Sequence, residues 1–353
     1  MARRAVVLLN LGGPDDLAAV QPFLFNLFND PAIIAVPGAF RWLLAKVISR
    51  RRTPIAKSIY KKLGGASPLL KQTEAQAREL EARLGATTRV FISMRYWHPR
   101  SYETVKAVLE YDPESVVLLP LYPQYSSTTT GSSVTDWNDA AKKAGLHKPT
   151  FLVGCYPTNA RFIAAHAKLV RATLDSTVMD HGTRVLFSAH GLPEKIIAGG
   201  DPYQWQVEQT AAAIVEELGS FCVDWEVCYQ SRVGPLRWIG PSTEDLIAQA
   251  GAEKKAVVIV PIAFVSEHSE TLVELDIEYA EMARRAGVPS YKRVATLGVC
   301  DDFLDALLEM VESAGPYNQQ APAGEARQCP PRFRLCCKDS GALSTLNSKV
   351  FSG

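Results

Sequence analysis

Short apolar runs recur along the chain, and each is separated from the next by a stretch with helical periodicity. The runs are Val6–Leu11, Val90–Met94, Val116–Leu121, Phe151–Val153, Val185–Ser188, Trp225–Tyr229, Ala256–Pro261 and Val294–Val299. Between them, Lys71–Leu84, Asn159–Leu174, Pro202–Leu218 and Thr271–Arg285 carry amphipathic helical patterns. Strands that alternate with helices need crossover connections, and these place helices on both faces of a parallel sheet. The expected fold is therefore α/β.

The order of these elements predicts an internal duplication. One half reads LLNLGGP, SMRYWHP, LLPLYPQYSSTTTGS; the other reads LFSAHGLP, CYQSRVGP, VIVPIAFVSEHSET. Three strands in each half end in Gly, Pro or polar residues at matched places. Two half-domains facing each other across a cleft are expected, over residues 1–155 and 156–312. The stretch SAGPYNQQAPAGEARQ reads as a linker, so 313–353 forms a linker and a cysteine-containing tail. In open parallel sheets ligands bind beyond the carboxyl ends of the strands, so the residues there are the informative ones.

The 353 residues carry 38 Lys and Arg against 37 Asp and Glu, a balance that argues against a nucleic-acid binder. The longest apolar run, Ala256–Val265, is interrupted by Pro261 and is far short of the roughly 20 residues that span a bilayer. The run at the start of the chain is too short for a signal-peptide core and leads into Gly-Gly-Pro, so a cytosolic protein is expected. Cys155, Cys222, Cys228 and Cys300 are dispersed, whereas Cys329, Cys336 and Cys337 cluster, which in the cytosol suggests metal binding more than disulfides.

At the strand ends, His190 follows a buried run and precedes a Gly-Leu-Pro turn, and an imidazole placed there suits proton removal near neutral pH. After Pro261–Val265, Glu270, Glu274 and Glu278 recur at i, i+4 and i+8 and so share one face of an expected helix. With Glu267, His268 and Asp276 nearby, these carboxylates could hold a divalent cation, or form a solvated acidic face. The aromatic and hydroxyl-rich run from Leu121 to Ser132 suits a large flat ligand with carboxylates, and Arg95 suits an anion. Asn10–Pro14 lacks the spacing of a phosphate loop, and Pro14 withholds a backbone N–H, so a nucleotide site is not expected. The segment Pro22–Arg52 is rich in Phe, Leu, Ile and Trp and closes with Arg50-Arg51-Arg52. It reads either as a core helix pair or as a pocket lip that touches a bilayer.

These residues, taken in order, resemble ferrochelatases. Matching stretches run from LLNLGGP to about Val311 and include RRTPIAKSIYKKLGGASP, MRYWHP, YPQYSSTTTGSS, SAHGLP, GDPYQWQVEQT, YQSRVGPLRWIGP and PIAFVSEHSETLVELDIEY. The resemblance implies two Rossmann-like half-domains around a porphyrin cleft, and insertion of Fe²⁺ into protoporphyrin IX with loss of two protons. It implies His190 and Glu270 as the catalytic pair and as metal contacts, with Glu274 and Glu278 continuing the metal route. Leu11, Tyr60, Ser67, Arg95, Tyr96 and Trp238 fall where the family contacts substrate or lines the pocket. It favours the membrane lip, and with it a peripheral position on the inner face of the cytoplasmic membrane; the sequence leaves monomer and homodimer both open.

Some members of that family hold a [2Fe–2S] cluster on C-terminal cysteines and one earlier cysteine. Cys329, Cys336 and Cys337 with Cys155 are the corresponding candidates here. Ser127 stands where animal enzymes place the earlier cysteine, and the spacing also permits zinc or free thiols. A coproporphyrin III ferrochelatase, another tetrapyrrole chelatase, and a haem or metal carrier remain as alternatives. The acidic residues beside a candidate base favour an enzyme, because a carrier needs no proton acceptor.

Overall fold

The computed structural model describes residues 3–177, 182–221, 224–232, 236–314 and 329–336. The linker from residue 315 and the tail from Cys337 lie outside them. The chain divides into two compact units, one built on residues up to Cys155 and the other on Tyr156–Ala306, with short pieces of the C-terminal segment added to each.

Unit one contains β1 (Arg4–Asn10), α1 (Val20–Phe28), α2 (Gly38–Lys62), α3 (Leu69–Leu84), β2 (Thr88–Met94), α4 (Ser101–Tyr111), β3 (Ser115–Pro120), α5 (Thr130–Ala144) and β4 (Thr150–Leu152). Its sheet has the order β2-β1-β3-β4, and every pairing is parallel. β3 is buried along its whole length, which requires cover on both faces. Ala5, Val7 and Leu9 recur at period two and share one core cluster with Val105, Val108 and Trp137 of α4 and α5. α3 packs along β1 and β2.

Unit two repeats the plan. It contains α6 (Ala160–Asp175), β5 (Thr183–His190), α7 (Glu194–Ala198), α8 (Tyr203–Leu218), β6 (Trp225–Gln230), α9 (Thr243–Ala252), β7 (Ala256–Pro261), a π-helix (Glu270–Tyr279), α10 (Ala280–Ala286) and β8 (Tyr291–Arg293). The helix α11 (Asp301–Ser313) follows. The sheet order is β6-β5-β7-β8, again all parallel, so the two sheets share one topology. Leu186, Val257 and Ile259 form a core with Leu246 and Ile247 of α9 and with Leu275 and Tyr279 of the π-helix.

Two expectations change. The eighth strand is Tyr291–Arg293 rather than Val294–Val299. Val294 and Leu297 are buried, but as an irregular segment tied to Ile259 and Val265 by single backbone bonds from Val294 and Gly298. The helix expected over Thr271–Arg285 is two helices, the first with π geometry.

Candidate active site

β5 is buried from Arg184 to Ala189 and delivers His190 at its half-exposed carboxyl end. Gly191 then turns the chain against the end of β6, with its N–H bonded to Gln230 O at 2.9 Å. A Cβ at Gly191 would meet Gln230 O at 3.0 Å and the Trp238 ring at 3.4 Å, so any side chain there would crowd this approach. Trp238 is thereby placed beside the strand end that carries His190.

The π-helix begins after β7. His268 stands before it and accepts a bond from Glu270 N–H at its Nδ1, 3.0 Å, while its own N–H donates to Thr271 Oγ1 at 3.0 Å. Glu270 is thus held at the helix start, and its Oε2 lies 3.1 Å from His190 Nδ1. Burial pushes the Glu270 carboxyl up, but the facing His190 charge and hydrogen bond outweigh it and hold it down at about 2. For His190 burial acts downward, and the Glu270 carboxylate and hydrogen bond, with Glu274, raise it above its ordinary value.

Glu274 lies one step further along. It accepts from Gln230 Nε2 at 2.9 Å, Ser231 N–H at 2.9 Å and Ser231 Oγ at 2.5 Å, and the Tyr279 hydroxyl is 3.1 Å away. Ser231 adopts φ +61°, a left-handed conformation that aims both its donors at one carboxylate. Burial, then the Glu270 charge, raises the Glu274 carboxyl. Gln230 is fixed in turn, accepting from Ser188 Oγ at 2.8 Å and donating to Glu270 O at 3.1 Å. Glu278 is exposed. The three glutamates therefore occupy three different environments: one on an imidazole, one caged by donors, one at the surface.

In unit one, Arg95 does not present a free guanidinium. It pairs with the buried Asp30 at 2.9 Å and with Asp136 at 3.4 Å, and donates to Ser132 Oγ at 2.6 Å. Its side chain is only 12% exposed, and its guanidinium is held in internal ion pairs. Tyr96 is fully buried beneath that guanidinium and donates to Asp30 at 2.7 Å. Tyr60 shares a core cluster with Tyr96, and Leu11 packs against it. Ser67 abuts the turn after β1, where a Cβ on Gly13 would lie 2.4 Å from its Oγ. Ser126, Thr128 and Thr130 of the hydroxyl-rich loop are buried, and Ser126 and Thr128 bond each other at 2.8 Å.

The model of the family described as Ferrochelatase matches residues 3–314. A ferrochelatase of Pelagibacter ubique is 51% identical over 340 residues, covering 95% of this chain and 98% of that protein. One of Caulobacter vibrioides is 55% identical over 315 residues, covering 88% and 90%. The chain belongs to the ferrochelatase family.

As a ferrochelatase it is an enzyme, a lyase of haem biosynthesis that inserts metal into a porphyrin. Among solved structures, SirB of Bacillus subtilis with Fe³⁺ shares the fold at a TM-score of 0.56 and 12% identity, covering 90% of this chain and 98% of that one. The sirohydrochlorin chelatase SirB from B. subtilis subspecies spizizenii, in complex with cobalt, gives 0.52 and 11% over 90% and 98%.

Among the described residues nothing supports the expected cluster. Cys155 is disulfide-bonded, and a disulfide sulfur offers no thiolate. Cys329 is a buried thiol bonded to Gln206 Nε2 at 3.2 Å, Cys336 is a buried free thiol, and Cys337 lies outside the described residues. Among the described residues no group of three His, Cys, Asp or Glu side chains is arranged to hold a metal ion.

Asp30, Gln230, Ser231 and Tyr279 escaped the sequence reading. The Asn-Asp-Pro turn at Asp30 was the one available signal, because a buried acid needs partners that only distant segments supply.

Proposed function

We propose that the enzyme inserts Fe²⁺ into protoporphyrin IX, forming protohaem and releasing two protons, with His190 and Glu270 at the reacting centre. The carrying observation is the 3.1 Å contact between His190 Nδ1 and Glu270 Oε2. With Nδ1 donating to the carboxylate, the imidazole keeps Nε2 for a pyrrole proton. Fe²⁺ arriving at Glu270 weakens the carboxylate's hold on the imidazolium, so metal approach favours the neutral imidazole, whose Nε2 is then free to accept a pyrrole proton. Glu278 at the surface and Glu274 behind it extend this negative charge outward along the helix. Leu11, Tyr60, Ser67, Arg95, Tyr96 and Trp238 are the proposed porphyrin contacts, with Asp30 tying Tyr96 to Arg95.

The choice of protoporphyrin rests on α2. It exposes Phe40, Trp42, Leu43, Leu44, Val47 and Ile55, and Lys46 sits 4.6 Å over the Trp42 ring. No described helix is long and apolar enough to cross a membrane. An apolar face with basic residues suits peripheral contact with an anionic bilayer, where a porphyrin bearing two propionates partitions better than one bearing four. An anaerobic assay comparing protoporphyrin IX with coproporphyrin III tests this. Faster insertion into protoporphyrin is expected, and a preference for coproporphyrin overturns the choice of substrate.

A further inference from the structure

The strand β8 holds the π-helix at two points. Tyr291 and Arg293 stand two apart on β8 and so project from the same face of the sheet. The Tyr291 hydroxyl donates to Leu275 O at 2.8 Å. The Arg293 guanidinium forks onto the adjacent Asp276, Nε to Oδ1 at 2.5 Å and Nη2 to Oδ2 at 2.9 Å. Its Nη1 reaches Glu267 Oε1 at 2.8 Å, in the loop before the helix. Glu267 is itself tied to the segment after β8, accepting from Thr296 N–H at 3.1 Å. Glu267 and Asp276 bracket Glu270 and Glu274 in the chain, so one guanidinium grips both sides of the segment that faces His190.

A π-helix is a rare form, found mostly as single-turn bulges inside α-helices and frequently at functional sites. Relaxation from five-residue to four-residue hydrogen-bond spacing would rotate Asp276 relative to Glu270. A planar two-point fork resists that rotation, whereas a point charge does not.

We propose that Arg293 is a positioning residue that locks the π-helix and so aims Glu270 at His190. The proposal rests on the metal-insertion reading above for its catalytic meaning.

Arg293→Lys keeps the charge without the fork. Folded protein is expected, with kcat at least tenfold lower, KM for porphyrin within twofold of wild type, and faster amide exchange across residues 270–279. Arg293→Met should lower kcat as much and also lower Tm, since it strands two carboxylates, so the lysine variant should recover Tm but not kcat. Tyr291→Phe should speed exchange in the same peptide. Wild-type kcat in Arg293→Lys, or unchanged exchange over 270–279, overturns the proposal. A wild-type protein that inserts no Fe²⁺ would instead reject the metal-insertion reading, and the exchange comparison would still decide whether Arg293 holds the helix.

Discussion

His190 Nδ1 and Glu270 Oε2 meet at 3.1 Å, joining the end of β5 to the first residue of the π-helix across 80 positions of sequence. Each group holds the other in its charged form, although burial opposes both charges. In the proposed reaction His190 accepts a proton only once it is neutral, and Glu270 beside it is the proposed metal contact.

Replacing His190 by Ala should lower kcat by about 10²–10⁴-fold, the usual contribution of a positioned base. Porphyrin binding, followed by fluorescence quenching, should stay within a few-fold of wild type. Turnover close to wild type at neutral pH would remove His190 from the mechanism.

The pH dependence has a definite sign. His190 is raised above its ordinary 6.5 by Glu270, so kcat should rise with pH through a midpoint above 6.5 as the base form appears. The stability from this imidazolium is fully present below 6.5 and is lost as pH rises through the raised value. From the acid side, the Glu270 contribution is present above its ordinary 4.5 and is lost as pH falls through about 2. Glu270→Gln should lower kcat and shift the kinetic midpoint downward. A midpoint that does not move in the variant would dissociate the pair.

Glu274 and Glu278 should separate in their effects. Glu274→Gln turns an amide toward donors that served a carboxylate and should cost about 1–3 kcal/mol, read by urea unfolding. Glu278→Gln, at the surface, should change stability by no more than about 0.5 kcal/mol and mainly raise the Fe²⁺ concentration for half-maximal rate. Equal and negligible effects of both variants on stability and on Fe²⁺ dependence would contradict this division.

Phe40→Ser combined with Trp42→Ser removes two exposed apolar side chains of α2. The double variant should leave anionic vesicles on sedimentation while keeping its Tm. A wild-type protein that never sediments with such vesicles rejects peripheral membrane contact.

Trp137 is 1% exposed and joins α5 to the β1 face of its sheet. Trp137→Ala should destabilise unit one by about 3–5 kcal/mol, measured by denaturant unfolding. A loss under 1 kcal/mol would mean that the cavity collapses.

Burial and helical periodicity are local properties, and they are written in the chain itself. The apolar runs at Val6, Val116, Val185 and Ala256 fall in strands, and His190 lies at a strand's carboxyl end because a short buried run must stop where polar residues begin. Partners are not local. The i, i+4 spacing of Glu270 and Glu274 reads as an ordinary helix, and only the contacts from Arg293, Tyr291, Gln230 and Ser231 accompany the π geometry that sends one glutamate to an imidazole and cages the other. Arg95 reads in the sequence as a candidate anion contact, and only the fold places Asp30, far away in sequence, against its guanidinium. The clustered cysteines suggest a metal from their spacing, yet Cys155 is disulfide-bonded and no metal-holding group occurs among the described residues. A side chain's charge state and contacts depend on which distant groups the fold brings within a few ångströms, and sequence spacing carries no record of that.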